Sequence, residues 1–120
     1  MNELPHKLII GTLGEIFTQL RLLEYGVQSV SPHKDTGNDL IAIKGEIFRT
    51  IQIKTTFNPE GHTRIPPDLD RAFHILALVE LKIKDGNLSL DESKIFLLWK
   101  EQSFGERKLL TKSLVSEFWL

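Results

Sequence analysis

The chain contains no cysteine, and that absence removes both a disulfide framework and a thiolate zinc site before any motif is considered. It also makes a reducing compartment, hence a cytoplasmic location, the simplest expectation. No apolar run approaches the length that spans a bilayer, and the first seven residues lack a basic start followed by an apolar stretch. Neither secretion nor membrane insertion is expected. Basic excess is missing as well: 15 Lys and Arg stand against 16 Asp and Glu, for a formal charge of -1. A tight nucleic-acid binder usually concentrates positive charge on one face, so the bulk charge argues weakly against such a partner. An enzyme needs only a local basic track, or an oligomer that doubles its contacts. With 120 residues, 41% of them hydrophobic and 26% charged, positions 1–120 are predicted to form a single globular domain.

Apolar residues recur at spacings of three and four through positions 6–25, at Leu8, Ile9, Leu13, Ile16, Phe17, Leu20 and Leu23, which predicts an amphipathic helix stopped by Gly26. Positions 27–31 read as a short strand and 32–38 as a turn-rich reversal. Positions 39–44 and 47–54 are two runs of strand formers separated only by Gly45-Glu46, the pattern of a tight hairpin. In the second run Phe48, Thr50, Gln52 and Lys54 share one face, and Ile47, Arg49, Ile51 and Ile53 the other. Positions 56–67 read as a long loop, with a helical turn around 67–71. A buried strand is expected over 74–83, a turn at Asp85-Gly86-Asn87, a strand over 95–100 and a terminal helix over 111–119. This order predicts an α/β or α+β domain on a mixed sheet, without repeats or linkers.

The hairpin brings chemistry together. Its turn is the far end, so Asp39 at the start of one strand falls opposite Gln52 to Lys54 at the close of the other. The Asp39 carboxylate, the Gln52 amide oxygen, the Ile53 carbonyl and a second carboxylate from Glu15 on the first helix make an oxygen cage suited to magnesium, with the Lys54 charge beside it. Such a site suits a phosphodiester, because the cation and the lysine neutralise the charge that grows during hydrolysis.

Three segments carry a resemblance: Gly11-Thr12-Leu13-Gly14-Glu15, Gly37-Asn38-Asp39-Leu40-Ile41-Ala42 and Ile51-Gln52-Ile53-Lys54-Thr55-Thr56. In order and spacing they resemble the PD-(D/E)XK nuclease superfamily. The Gln-x-Lys variant is similar to the small intron-encoded homing endonucleases, and more distantly to Holliday junction resolvases and restriction endonucleases. The resembling stretch covers under half of the chain. It implies a restriction-endonuclease-like core of helix, three strands, helix and strand, with a mixed central sheet of about five strands flanked by helices. It further implies dependence on magnesium, with manganese as a substitute, and cleavage of double-stranded DNA by a homodimer or higher homo-oligomer. Carried over, Asp39 is the central metal ligand, Lys54 orients or activates water, Glu15 is the helix-borne acid, and Gln52 stands where most members have Glu or Asp. That departure removes one negative charge from the cage, so metal affinity falls unless Glu15 or Asp35 compensates.

Other polar residues carry less. Thr56, His62 and Arg64, in the stretch after Lys54, are candidate phosphate contacts, although this composition equally suits a solvated loop. His6, His33, His62 and His74 lack zinc-ligand spacing and read as surface or loop residues, His74 as the one most open to partial burial. Lys82, Lys84, Arg107, Lys108 and Lys112 form a basic track only if the fold unites them. Trp99 and Trp119 read as packing or interface residues. No small-molecule cofactor is expected. Beside DNA hydrolysis stand two other readings: a catalytically inactive nuclease-fold module for DNA binding or assembly, and a nuclease acting on RNA.

Overall fold

The computed structural model describes residues 6–32, 39–58, 73–102 and 106–120. In chain order these form α1 (His6–Glu24), β1 (Gln28–Val30), β2 (Leu40–Lys44), β3 (Ile47–Phe57), β4 (Ile75–Lys84), β5 (Asn87–Trp99), a 3-10 turn (Lys100–Gln102), β6 (Lys108–Leu109) and α2 (Lys112–Phe118). The described residues thus form an α+β fold with a six-stranded mixed sheet, against the five or so strands expected. No described helix is long and apolar enough to cross a membrane.

The strands lie side by side in sequence order. Antiparallel pairing joins every neighbouring pair except β3 and β4, which run parallel with Ile51 opposite Ile75 and Lys54 opposite Leu78. Asp85 and Gly86, both at positive φ, form the two-residue turn between β4 and β5. Two expected strands prove longer. β3 continues past 54 through Thr55, Thr56 and Phe57, the last two of which sequence assigns to a loop, because β4 supplies partners at Val79, Glu80 and Leu81. β5 begins at Asn87 rather than at 95, extended by its hairpin with β4.

α1 ends where expected. The Val27 N–H donates to the Leu22 carbonyl at 2.8 Å and the Gly26 N–H to the Leu23 carbonyl at 3.1 Å. This is a Schellman closure, with Gly26 at φ 85° supplying the left-handed residue. Of the expected stripe, the helix turns Leu13 and Phe17 to the core and other members outward. Ile10, Leu13, Phe17 and Leu22 meet the core, while Ile16 and Leu23 are 55% and 63% exposed and Ile9 and Leu20 also face outward. Apolar residues occupy both sides of α1, and Gly14 and Thr18, both buried, mark the inward side. A Cβ at Gly14 would overlap the Thr55 hydroxyl and lie 2.8 Å from Thr55 Cβ, so the absent side chain is what lets α1 rest on β3. The Thr18 hydroxyl donates to the Gly14 carbonyl at 2.8 Å, which satisfies the polar group this approach buries.

Ile51 and Ile53 of β3, Ala77 and Val79 of β4 and Leu97 of β5 share a core with Phe17 of α1 and with Leu114, Val115 and Phe118 of α2. Both described helices therefore lie on one face of the sheet, not on two. The opposite face holds a smaller cluster of Phe73, Leu76, Leu78 and Leu98. The tryptophans pack as expected: Trp99 stacks on Phe118 at 4.6 Å between ring centres, and the buried Trp119 indole N–H donates to the Ala42 carbonyl at 3.1 Å. Arg49 reinforces this join, its Nε donating to the Phe118 carbonyl at 2.9 Å. Trp119→Phe removes the donor and part of the buried indole, and should lower unfolding free energy by about 2–4 kcal/mol in urea titrations.

Candidate active site

β2 begins one residue after Asp39, and two hydrogen bonds hold that residue against β3. The Asp39 N–H donates to the Ile51 carbonyl at 2.9 Å, and the Ile53 N–H donates to Asp39 Oδ2 at 2.7 Å. The carboxylate completes the ladder beyond the last strand pair, so its position is set by backbone groups. Extending the Leu40–Ile51 register by one step places Asp39 opposite Gln52. The N–H and C=O of a strand residue leave the same edge, which puts the Ile53 carbonyl on the Asp39 side of β3 too.

Gln52 is only 6% exposed, and its Oε1 has no hydrogen-bond partner among the described residues. An amide oxygen buried without a donor costs about 1–3 kcal/mol, which a hydrogen-bond donor or a cation would offset. Gln52 is thus not part of a solvated strand face. Lys54 is half-buried on the same face of β3, beside Leu78 of β4. The structure therefore brings Asp39, Gln52, Ile53 and Lys54 to one end of the hairpin, where β3 changes from an antiparallel neighbour on one side to a parallel one on the other.

Glu15 reaches the same end from the other face. The Ser31 hydroxyl donates to Glu15 Oε1 at 2.5 Å. Ser31 directly follows β1, and extending the Val30–Ile41 register sets it opposite Leu40, next to Asp39. Gly14, packed against Thr55, fixes the turn of α1 that carries Glu15. Among the described residues, no group of three or more His, Cys, Asp or Glu side chains is placed to hold a metal ion. A cation here would rely on Asp39 with the Gln52 and Ile53 oxygens, and on Glu15 if it leaves Ser31. An all-oxygen set of this kind fits magnesium or manganese and offers little to softer metals.

The remaining candidates separate. Thr56 lies in β3, half-buried and opposite Glu80, rather than in a loop. His62, Arg64, His33 and Asp35 fall outside the described residues. The five outlying basic residues do not form an unbroken track: Lys84 faces Glu92 at 4.0 Å, Arg107 faces Glu80 at 3.9 Å and Lys108 faces Glu117 at 3.7 Å. His74 is exposed, and it is bound to Thr50 in a way the sequence does not reveal, since the β3–β4 register alone brings the two together. Ser31 is a second partner without a sequence signal. Comparison of the chain with protein-family models, curated proteins and solved structures finds no match.

Proposed function

We propose that the protein is a magnesium-dependent endonuclease that hydrolyses the backbone of double-stranded DNA on a restriction-endonuclease-like fold. The observation that carries this reading is the pairing of a carboxylate pinned by the strand backbone, Asp39, with the buried and unpartnered amide oxygen of Gln52. Support also comes from the order of α1, the β1–β3 meander and the parallel β4, which are four strands and one helix of the helix, three strands, helix and strand that the resemblance implies; the place of the second helix in that order lies outside the described residues.

A bound magnesium ion supplies neutralising charge and acidifies a water molecule. The chain's own contribution is positional. Ile53 N–H keeps the Asp39 carboxylate in place, Gln52 offers an oxygen that needs no desolvation on binding, and Lys54 places positive charge on the same face to hold a phosphate oxygen. The outward apolar residues of α1, Ile9, Ile16, Leu20 and Leu23, support a homo-oligomer, which a two-strand cut requires unless the strands are nicked in turn.

Incubation with supercoiled plasmid tests the reading. Nicked and linear products should appear with magnesium or manganese and vanish with chelator. One observation favours a second reading: neutral Gln52 lowers the charge of the cage, as expected of a DNA-binding module that no longer cuts. That module would retain plasmid in a mobility-shift assay and leave it intact with either metal.

A further inference from the structure

The face of β3 that carries Gln52 and Lys54 also carries Thr50, and β4 sets one side chain against it. The Thr50 N–H donates to His74 Nδ1 at 3.0 Å, and the His74 N–H donates back to the Thr50 carbonyl at 3.0 Å. The His74 N–H also lies 3.0 Å from the Thr50 hydroxyl. Phe48 closes on the imidazole from a third side, edge to face at 6.1 Å. The ring therefore completes the ladder just beyond the first β3–β4 pair, Ile51 with Ile75.

This arrangement has a chemical consequence. A nitrogen that accepts from a backbone N–H carries no proton, so the neutral ring must hold its proton on Nε2. His74 is nevertheless exposed, and its ring is held through Nδ1, by the Thr50 N–H and, at 3.2 Å, the Thr50 hydroxyl. A cap for Thr50 needs only the Nδ1 half of the ring. The other half is an oriented donor on the open side, and Thr50, which holds the ring, lies two residues, roughly 7 Å, from Gln52 along β3. That separation is comparable to the distance between successive phosphates of one DNA strand.

We propose that the His74 Nε2–H binds the DNA phosphate adjacent to the one placed at Asp39 and Gln52, setting the register of the strand to be cut. The assignment rests on the nuclease reading and adds a substrate-positioning residue to it. Because the imidazole is neutral, the contact displaces no counterion, and its loss lowers affinity without changing the dependence on salt.

The test uses binding by the unmodified chain to a short fluorescent DNA duplex, with calcium in place of magnesium to suppress cutting. His74→Asn keeps an oxygen in reach of the Thr50 N–H but removes the Nε2 donor. It should weaken binding roughly tenfold at every salt concentration with an unchanged melting temperature. His74→Gln, which restores a donor near the Nε2 position, should recover most of the loss. Should His74→Asn unfold, nitrogen NMR of the imidazole in the parent decides instead: the Nε2 signal moves on adding duplex if the contact exists and stays in place if it does not. A parent that binds duplex with the affinity of His74→Asn overturns the inference alone. A parent that binds no duplex overturns the nuclease reading and this inference with it.

Discussion

Asp39→Asn is expected to reduce metal-dependent cleavage on the order of 10^3-fold while leaving the fold intact. An asparagine keeps a side-chain oxygen where Oδ2 accepts the Ile53 N–H, so the backbone group that anchors the hairpin end stays satisfied. The full negative charge is lost, and with it several kcal/mol of cation binding and transition-state stabilisation. Asp39→Ala should lose as much activity and, in addition, about 1–3 kcal/mol of stability, because the Ile53 N–H is left without its acceptor. Cleavage rates and thermal melts of both variants separate the chemical role from the structural one. Equal activity of Asp39→Asn and the unmodified chain would remove Asp39 from the site.

Gly14→Ala tests the scaffold rather than the chemistry, and should destabilise the protein by about 2–3 kcal/mol. The added methyl meets Thr55 at its hydroxyl, at Cγ2 and at Cβ. Rotating the threonine moves the first two, but Cβ is fixed by the strand, so α1 itself has to move. Alanine is the better helix former by roughly 1 kcal/mol, which makes a net loss diagnostic of the clash. Thr55→Gly alone should also destabilise, whereas the pair Gly14→Ala with Thr55→Gly should recover part of the loss, since the obstructing Cβ is gone. Urea unfolding of the two single variants and the double variant measures this coupling. Strictly additive losses would show that the close approach of α1 to β3 is not what Gly14 provides.

The hairpin from Asp39 to Lys54 was legible because its information is local: alternation assigns faces, Gly45-Glu46 fixes the turn, and the turn fixes which residues meet across it. That is why four members of the candidate site, Asp39, Gln52, Ile53 and Lys54, were placed together from sequence. What was not legible depends on partners far along the chain. Thr55, Thr56 and Phe57 stand among turn formers, and only the parallel register with Val79, Glu80 and Leu81 makes them strand. The polar start of β5 likewise becomes strand through its hairpin partners Lys82, Ile83 and Lys84. For α1 the pattern was ambiguous, since Ile9, Ile16, Leu20 and Leu23 satisfy helical spacing as well as Ile10, Leu13, Phe17 and Leu22 do. Gly14 and Thr18 held the answer, as the small residues mark the side on which a strand comes close. Burial of Gln52 was hidden for a related reason, as alternation tells which face a residue joins but not whether that face is covered.

The central claim, that one end of this hairpin is a cation-assisted phosphodiester site, is tested most directly by following cleavage of a DNA duplex in magnesium, in manganese and in chelator, with Lys54→Ala alongside. Cutting is expected in both metals and not in chelator, with a fall on the order of 10^2-fold or more for Lys54→Ala. Cutting that persists in chelator, or that Lys54→Ala leaves unchanged, would contradict the claim.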